Sequence, residues 1–301
     1  MRIAIVILNY NSFKETLNCV NSIKKFTQKY PYKIFIVDNA SSDESRELLH
    51  VEYDNNDEIV IIENKINGGY SYGNNIGIEY AKREGYRYIF ISNPDVILKN
   101  DAVANIVDSL KEHSEVAIAG PLIYERKNMV QYARKEIRFS YYILKKLHII
   151  NEQSLLRCYS WDLCNDFIFQ GSVVGCFFCI DIEKFADMLI FDDDFFLFFE
   201  EDVIAYKLKI SHLKSMVVGT AKVEHLHGEI IKRSGSSFTD FNYRLSEFLV
   251  LKKYARIGRI EQIICYVLAI LFWRIKSLFN ISYRIMSDEY YIKLKKIYER
   301  V

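Results

Sequence analysis

The chain opens on an unbroken apolar run, Ile3-Ala4-Ile5-Val6-Ile7-Leu8, which predicts a strand buried on both faces. Residues 13–28 then carry Phe13, Leu17, Val20 and Ile23 at helical spacing. The two periods keep alternating. Strands are predicted over 33–37, 58–62, 87–92 and 116–119, and helices over 43–50, from about 69 to 84, and over 101–112. Such alternation needs right-handed crossovers, so this stretch predicts an α/β fold: a mostly parallel sheet with helices on both faces. Beyond residue 130 the pattern weakens. Residues 134–148 are basic and aromatic and read as a loop or helix over the site. Residues 173–180 read as a strand, 200–210 as a helix and 215–224 as extended chain. Helices are expected over 238–257, over 260–282 and from 288 onwards.

In a parallel α/β sheet, ligands bind beyond the carboxyl ends of the strands. Polar motifs stand where the predicted strands end: Asn9-Tyr10-Asn11, Asp38-Asn39, Asn64 and Asn93-Pro94-Asp95. This coincidence is the main physical support for a nucleotide site.

Composition narrows the class. Half of the 301 residues are apolar and 26% are charged, as in a folded domain rather than a disordered chain. The formal charge of +1 argues against a dedicated nucleic-acid binder. Charge is uneven locally. Residues 251–301 hold eleven Lys and Arg against four Asp and Glu. There Lys252, Lys253, Arg256, Arg259, Arg274 and Lys276 flank an apolar stretch containing Phe272 and Trp273. A basic, aromatic, amphipathic helix fits an anionic membrane surface; packing on the domain or on a second subunit, as in a homodimer, is the equal alternative. The longest apolar run, Ile263 to Trp273, is shorter than the roughly 20 residues that span a bilayer. Cys176 and Cys179 lie in an apolar run and read as buried free thiols. With no secretory pattern before the first strand, a reduced, cytoplasmic setting is expected.

Several motifs can carry chemistry. Asp38, in Val37-Asp38-Asn39-Ala40-Ser41-Ser42-Asp43, reads equally as a ligand of a nucleobase or ribose and as a turn and helix cap. Asn67-Gly68-Gly69 through Gly73-Asn74-Asn75-Ile76-Gly77 precedes a helix, where glycines admit phosphate or simply make a tight turn. Asp95 can hold a hard cation if a diphosphate and water supply the other ligands. Phe195 to Phe199 lead directly into Glu200-Glu201-Asp202. Acids at a helix start are favoured by its dipole. A carboxylate at the edge of an apolar pocket also has its pKa raised towards that of a general base. Adjacent helical residues point about 100° apart, so one of the three is expected to face substrate. His225 and His227 share a face if extended, and so can meet one metal. Lys232, Arg233, Ser234 and Ser236 read as a phosphate-clamping loop or a solvated one.

Taken in order, Val6-Ile7-Leu8-Asn9-Tyr10-Asn11, Val37 to Asp43, Asn67 to Gly77 and Ser92-Asn93-Pro94-Asp95-Val96 resemble glycosyltransferase family 2, in its rhamnosyltransferase-like branch. The resemblance covers roughly residues 1–235. It implies a GT-A fold over 1–237, with a donor half to about 125 and an acceptor half from about 126. A C-terminal helical region would follow over 238–301. It implies an inverting transferase using Asn9, Tyr10, Asn11, Asp38, Asn67, Gly68, Gly69, Asn74, Asn93 and Asp95 for a nucleoside-diphosphate sugar, UDP- or dTDP-linked. Asn93-Pro94-Asp95 would stand for the family's D-x-D, with Asn93 in place of its first acid. Asp95 and His225 would then bind Mg²⁺ or Mn²⁺. The base would be Glu200, Glu201 or Asp202, with Glu201 favoured. The acceptor would be a saccharide or lipid-linked saccharide in surface polysaccharide synthesis, at the inner face of the plasma membrane. Two rivals are weighed. A nucleotidyltransferase needs a glycine-rich basic loop after the first strand, where this chain has Asn9-Tyr10-Asn11-Ser12. A catalytically inactive sugar-nucleotide-binding module has no use for Glu200, Glu201 and Asp95.

Overall fold

The computed structural model describes residues 2–125, 128–129, 133–147, 149, 158–159, 162, 164–185, 188–226 and 236–299. The first half follows the alternation: β1 (Ile3–Asn9), α1 (Phe13–Phe26), β2 (Tyr32–Asp38), α2 (Ser45–Tyr53), β3 (Ile59–Glu63), α3 (Gly69–Arg83) and β4 (Tyr88–Ser92). These strands pair in parallel in the order β4-β1-β2-β3. Their in-register pairing sets Asn9 beside Asp38 and Ile7 beside Ser92, so the polar motifs share one edge of the sheet.

The other half is mixed. It contains β5 (Val96–Leu98), α4 (Ala102–Glu112), β6 (Val116–Glu125), β7 (Asn128–Met129), β8 (Ala133–Arg134), α5 (Phe139–Lys146), β9 (Cys158–Tyr159), β10 (Phe167–Phe169), β11 (Phe177–Asp181), α6 (Glu200–Ile210) and β12 (Lys214–His225). β11 enters between β4 and β6, antiparallel to both. β12 runs parallel to β6 and antiparallel to the short β5, which places His225 opposite Val96. No apolar periodicity marks β5 in the sequence; its partner across the sheet makes it a strand. The expected strand over 173–180 begins only at Phe177, because the Val173–Cys176 backbone turns beneath α6, where the Gly175 amide meets Glu201.

The C-terminal helices are α7 (Ser236–Lys253), α8 (Arg259–Phe279), α9 (Ile281–Ile285) and α10 (Ser287–Glu299). The helix expected over 260–282 divides because the Asn280 side chain accepts from the Ser282 amide and starts a new turn. α8 has 21 residues and is long and apolar enough to cross a membrane by length and composition. That corrects the reading from Ile263–Trp273 alone: Ile260, Ile275 and Leu278 extend the apolar helix at both ends. Its Cys265, Ala269 and Trp273 are nevertheless buried on the domain. Trp273 stacks on Tyr290 with ring centroids 4.0 Å apart and an interplanar angle of 10°. This core is continuous with Phe195, Phe199, Val203 and Tyr206 around the start of α6, so the helices pack directly behind the acidic motif.

Candidate active site

The turn after β1 is built around Asn9. Its side-chain amide donates to Asp38 Oδ1 at 2.8 Å, and its carbonyl accepts from the Ser12 and Thr16 hydroxyls. Asp38 is fully buried and also accepts from the Ser41 amide and hydroxyl. The turn-capping role weighed for Asp38 is therefore physically realised. Asn11, with φ at 52°, accepts through its side chain from the Ser42 and Asp43 amides, while Tyr10 stays exposed.

The glycine-rich segment divides its labour. Gly73 and Gly77 lie on β1, where an added Cβ would strike Leu8 and Val6, so they permit α3 to pack closely on the sheet. Gly69 has φ at +86°, and its Cβ would strike the Phe196 carbonyl. The Tyr70 amide bonds that same carbonyl at 2.8 Å, clamping the aromatic loop before α6 onto the start of α3. Asn67 accepts from the Gly69 amide and from Asn39. Gly68 backs against the Tyr72 ring, and Asn74 is buried, donating to the Tyr70 carbonyl.

Phe198 and Phe199 both adopt the left-handed region, at φ 73° and 69°. Bulky residues rarely do so, and such strain gathers at functional sites. Tyr243 of α7 packs on both rings, with centroids 5.5 and 5.0 Å away, and holds this entry into α6. The three acids then part company. Glu201 accepts from the Gly175 amide at 3.0 Å. Glu200 is buried, and burial followed by the Glu201 charge pushes its carboxyl well above the usual glutamate range. Asp202 turns inward and accepts from the Ile137 amide. Glu200 and Glu201, rather than one acid alone, line the cleft, because the left-handed entry turns the first residue of α6 inward as well.

That cleft is a cavity of about 890 Å³. Asn93 and His225 face it from the sheet, Glu200 and Glu201 from α6, and Tyr70 from α3. Asn9, Tyr10, Asn11, Asp38, Asn67, Gly68, Gly69 and Asn74 lie outside its lining, along the neighbouring edge of the sheet. Asp95 is buried beside it, with His225 Nε2 at 3.2 Å from its Oδ1 and Glu125 at 3.4 Å from the other ring nitrogen. Burial lowers the His225 pKa, but Asp95 and Glu125 outweigh it and raise it. Among the described residues no three His, Cys, Asp or Glu side chains are grouped to hold a metal alone. Both His225 ring nitrogens are engaged by carboxylates, so a cation held here by Asp95 and His225 would need the ring to give up a proton, with a diphosphate and water completing the shell. His227 and the loop residues Lys232, Arg233 and Ser234 lie outside the described residues. Cys176 and Cys179 are buried free thiols, as expected, with pKa values raised by burial.

Sequence reasoning missed part of the wall. Tyr70 donates its hydroxyl to the Gly175 carbonyl at 2.7 Å and joins the two loops that frame Glu201. Asp240, Tyr243, Lys276 and Tyr283 reach the cavity from the C-terminal helices. Lys276 bonds Asp240 at 3.0 Å and Tyr283 at 3.2 Å. No local motif ties these residues to Glu201; only packing does.

A mixed sheet with this strand order and an acid-tipped helix over its carboxyl edge defines a glycosyltransferase fold of the GT-A type. The chain matches the model of glycosyl transferase family 2 over residues 4–169, and it belongs to that family. It is 25% identical to glycosyltransferase GlyG of Streptococcus pneumoniae over 153 residues, 51% of this chain and 47% of that one. It spans less than half the length of each curated relative it matches. Its fold is similar to GalNAc-T7 crystallised with UDP, GalNAc and Mn²⁺ (TM-score 0.58, 16% identity, 82% of this chain and 51% of that one). It is also similar to a mannosyltransferase of Pyrobaculum calidifontis in complex with GDP-Man and Mn²⁺ (TM-score 0.54, 12% identity, 97% and 85% covered).

Proposed function

We propose that the protein transfers a sugar from a nucleoside-diphosphate donor to a hydroxyl of a saccharide or lipid-linked saccharide, with inversion, in glycan synthesis. The observation that carries this reading is the opening of Glu201, Asn93 and His225 onto one cavity, with Asp95 beside it. The ordered motifs favour a rhamnosyltransferase-like member acting on a UDP- or dTDP-sugar.

The donor nucleotide would lie along the edge formed by Asn9-Tyr10-Asn11, Asp38 and Asn67-Gly68-Gly69, with Asn74 behind it. Asp38 would act there by holding the Asn39–Asp43 turn. Glu201 takes the proton from the acceptor hydroxyl as its oxygen attacks the anomeric carbon. The bond from that carbon to the diphosphate oxygen breaks, and its electron pair leaves with the nucleoside diphosphate. With Glu201 as the one base and a diphosphate that departs without being protonated by a carboxylic acid, this is a single displacement. The Gly175 amide keeps Glu201 aimed at the cavity, beside Glu200, whose carboxyl is pushed up by burial and then by the Glu201 charge. Asp95 and His225 would hold Mg²⁺ or Mn²⁺, which when bound neutralises charge on the diphosphate.

The test is Glu201→Gln, assayed as nucleoside diphosphate release across UDP-, dTDP- and GDP-sugars. Turnover should fall by about 10²–10⁴-fold, the usual worth of a general base. Donor binding by titration calorimetry should stay near the wild-type value. Lost binding with retained turnover would remove Glu201 from the role of base.

A further inference from the structure

A helix packed on a globular domain normally turns polar residues to water. α8 does the opposite. Ile260, Ile264, Val267, Leu271, Ile275 and Leu278 recur at intervals of three and four residues, and all six are exposed. Of the exposed positions from Ile260 to Leu278, Arg274 is the only charged one. The stripe is about 27 Å long at 1.5 Å per residue, and exposed Phe279, Ile281 and Ile285 continue it into α9.

The exposed charges along α8 and α9 are basic, and the exposed acids Asp288 and Glu289 follow only in the first turn of α10. Arg256 and Arg259 stand at its start, Arg274 within it and Arg284 beyond its end, all exposed. The other bases that the sequence set here are taken up by partners on the protein, although the Lys253 and Lys276 side chains remain partly accessible. Lys252 donates to the carbonyls of Ile297 and Tyr298, Lys253 pairs with Asp192 and Asp194, and Lys276 pairs with Asp240. Glu261, the one acid of α8, bonds back to the Gly258 amide.

We propose that this face of α8 rests in the plane of an anionic lipid membrane, with its apolar residues among the acyl chains and its arginines at the headgroups. A second copy of the chain would bring the same arginines face to face, whereas anionic headgroups complement them. A spanning orientation would strip Trp273 from its stack on Tyr290 and from Phe241. Lys276, on the inner side of the same helix, lines the catalytic cavity, so docking brings that cavity to the surface where lipid-carried acceptors lie. The proposal goes beyond the catalytic reading and does not require it.

The test is co-flotation of the full chain with vesicles of equal parts phosphatidylglycerol and phosphatidylcholine, against phosphatidylcholine alone. The chain should bind the anionic vesicles, more weakly in high salt, and be released by alkaline carbonate. Leu271→Glu with Ile275→Glu should weaken binding by about a hundredfold, from the apolar burial lost. Glu201→Gln should float like the wild type, which separates docking from catalysis. Equal binding by the double variant, no preference for anionic lipid, or resistance to carbonate would each overturn the proposal. So would a wild-type dimer in light scattering that the double variant abolishes.

Discussion

The Gly175 amide lies 3.0 Å from Glu201 Oε1, and a Cβ added at Gly175 would lie 2.5 Å from that same oxygen. The loop before β11 therefore both directs the carboxylate and leaves no room for a side chain. Gly175→Ala should push Glu201 off its line. A displacement of about 1 Å in a reacting group costs on the order of 10²-fold in rate. The expected result is a kcat loss of that size with donor affinity unchanged, read by steady-state kinetics and calorimetry. Unchanged kcat would mean that Glu201 does not depend on this contact.

Glu200 should reveal itself through stability. Its raised pKa means the folded protein keeps a proton that the unfolded chain releases near pH 4.3. Stability due to this group is therefore full below that pH and is lost as pH rises towards the folded value. Glu200→Gln removes the penalty, so the variant should be more stable than wild type at pH 7 by about 1–3 kcal/mol. The gap should close as pH falls through about 4.3. Urea unfolding across that range measures it. Turnover should stay within about tenfold of wild type, unlike Glu201→Gln.

Cation dependence follows from the Asp95–His225 pair. Chelation should suppress turnover by roughly 10²-fold or more, since Lewis-acid stabilisation is worth several kcal/mol. Mn²⁺ or Mg²⁺ should restore it. Asp95→Ala and His225→Ala should each raise the Mn²⁺ needed for half-maximal rate by about 10–100-fold. Full activity in chelator would exclude this use of the pair.

Trp273 joins the C-terminal helices to the acidic loop through one core. Trp273→Ala should cost about 3–5 kcal/mol. Because Phe199 and Val203 share that core, the variant should lose activity along with stability, and both should melt in one transition. A separate early transition with activity retained would make the helical region independent of the catalytic part.

Much of the fold was legible because it is local. Six apolar residues at Ile3–Leu8 can only be a covered strand, and the alternation that follows leaves few topologies. Asn93-Pro94-Asp95 and Glu200-Glu201-Asp202 were visible because unusual side chains stand together at the ends of apolar runs. The three acids could not be sorted by sequence. Their fates depend on two left-handed phenylalanines, the Gly175 amide and the Ile137 amide, all non-local or conformational. The glycines of the 67–77 segment were legible as close approaches. Which protein groups they approach was decided by Leu8, Val6 and the Phe196 carbonyl.

By itself, the sequence determined the parallel half-sheet, the polar edge it presents and the family those ordered motifs mark, because periodicity and strand-end residues act over a few neighbours. Only the tertiary structure decided that Glu200 and Glu201 face the cavity while Asp202 turns inward, that Asp95 meets His225 across 130 residues of chain, and that Lys276 and Tyr283 close the wall. It also decided which bases of the C-terminal helices turn outward. Those relations arise when distant segments pack, and no local pattern encodes a distance through space.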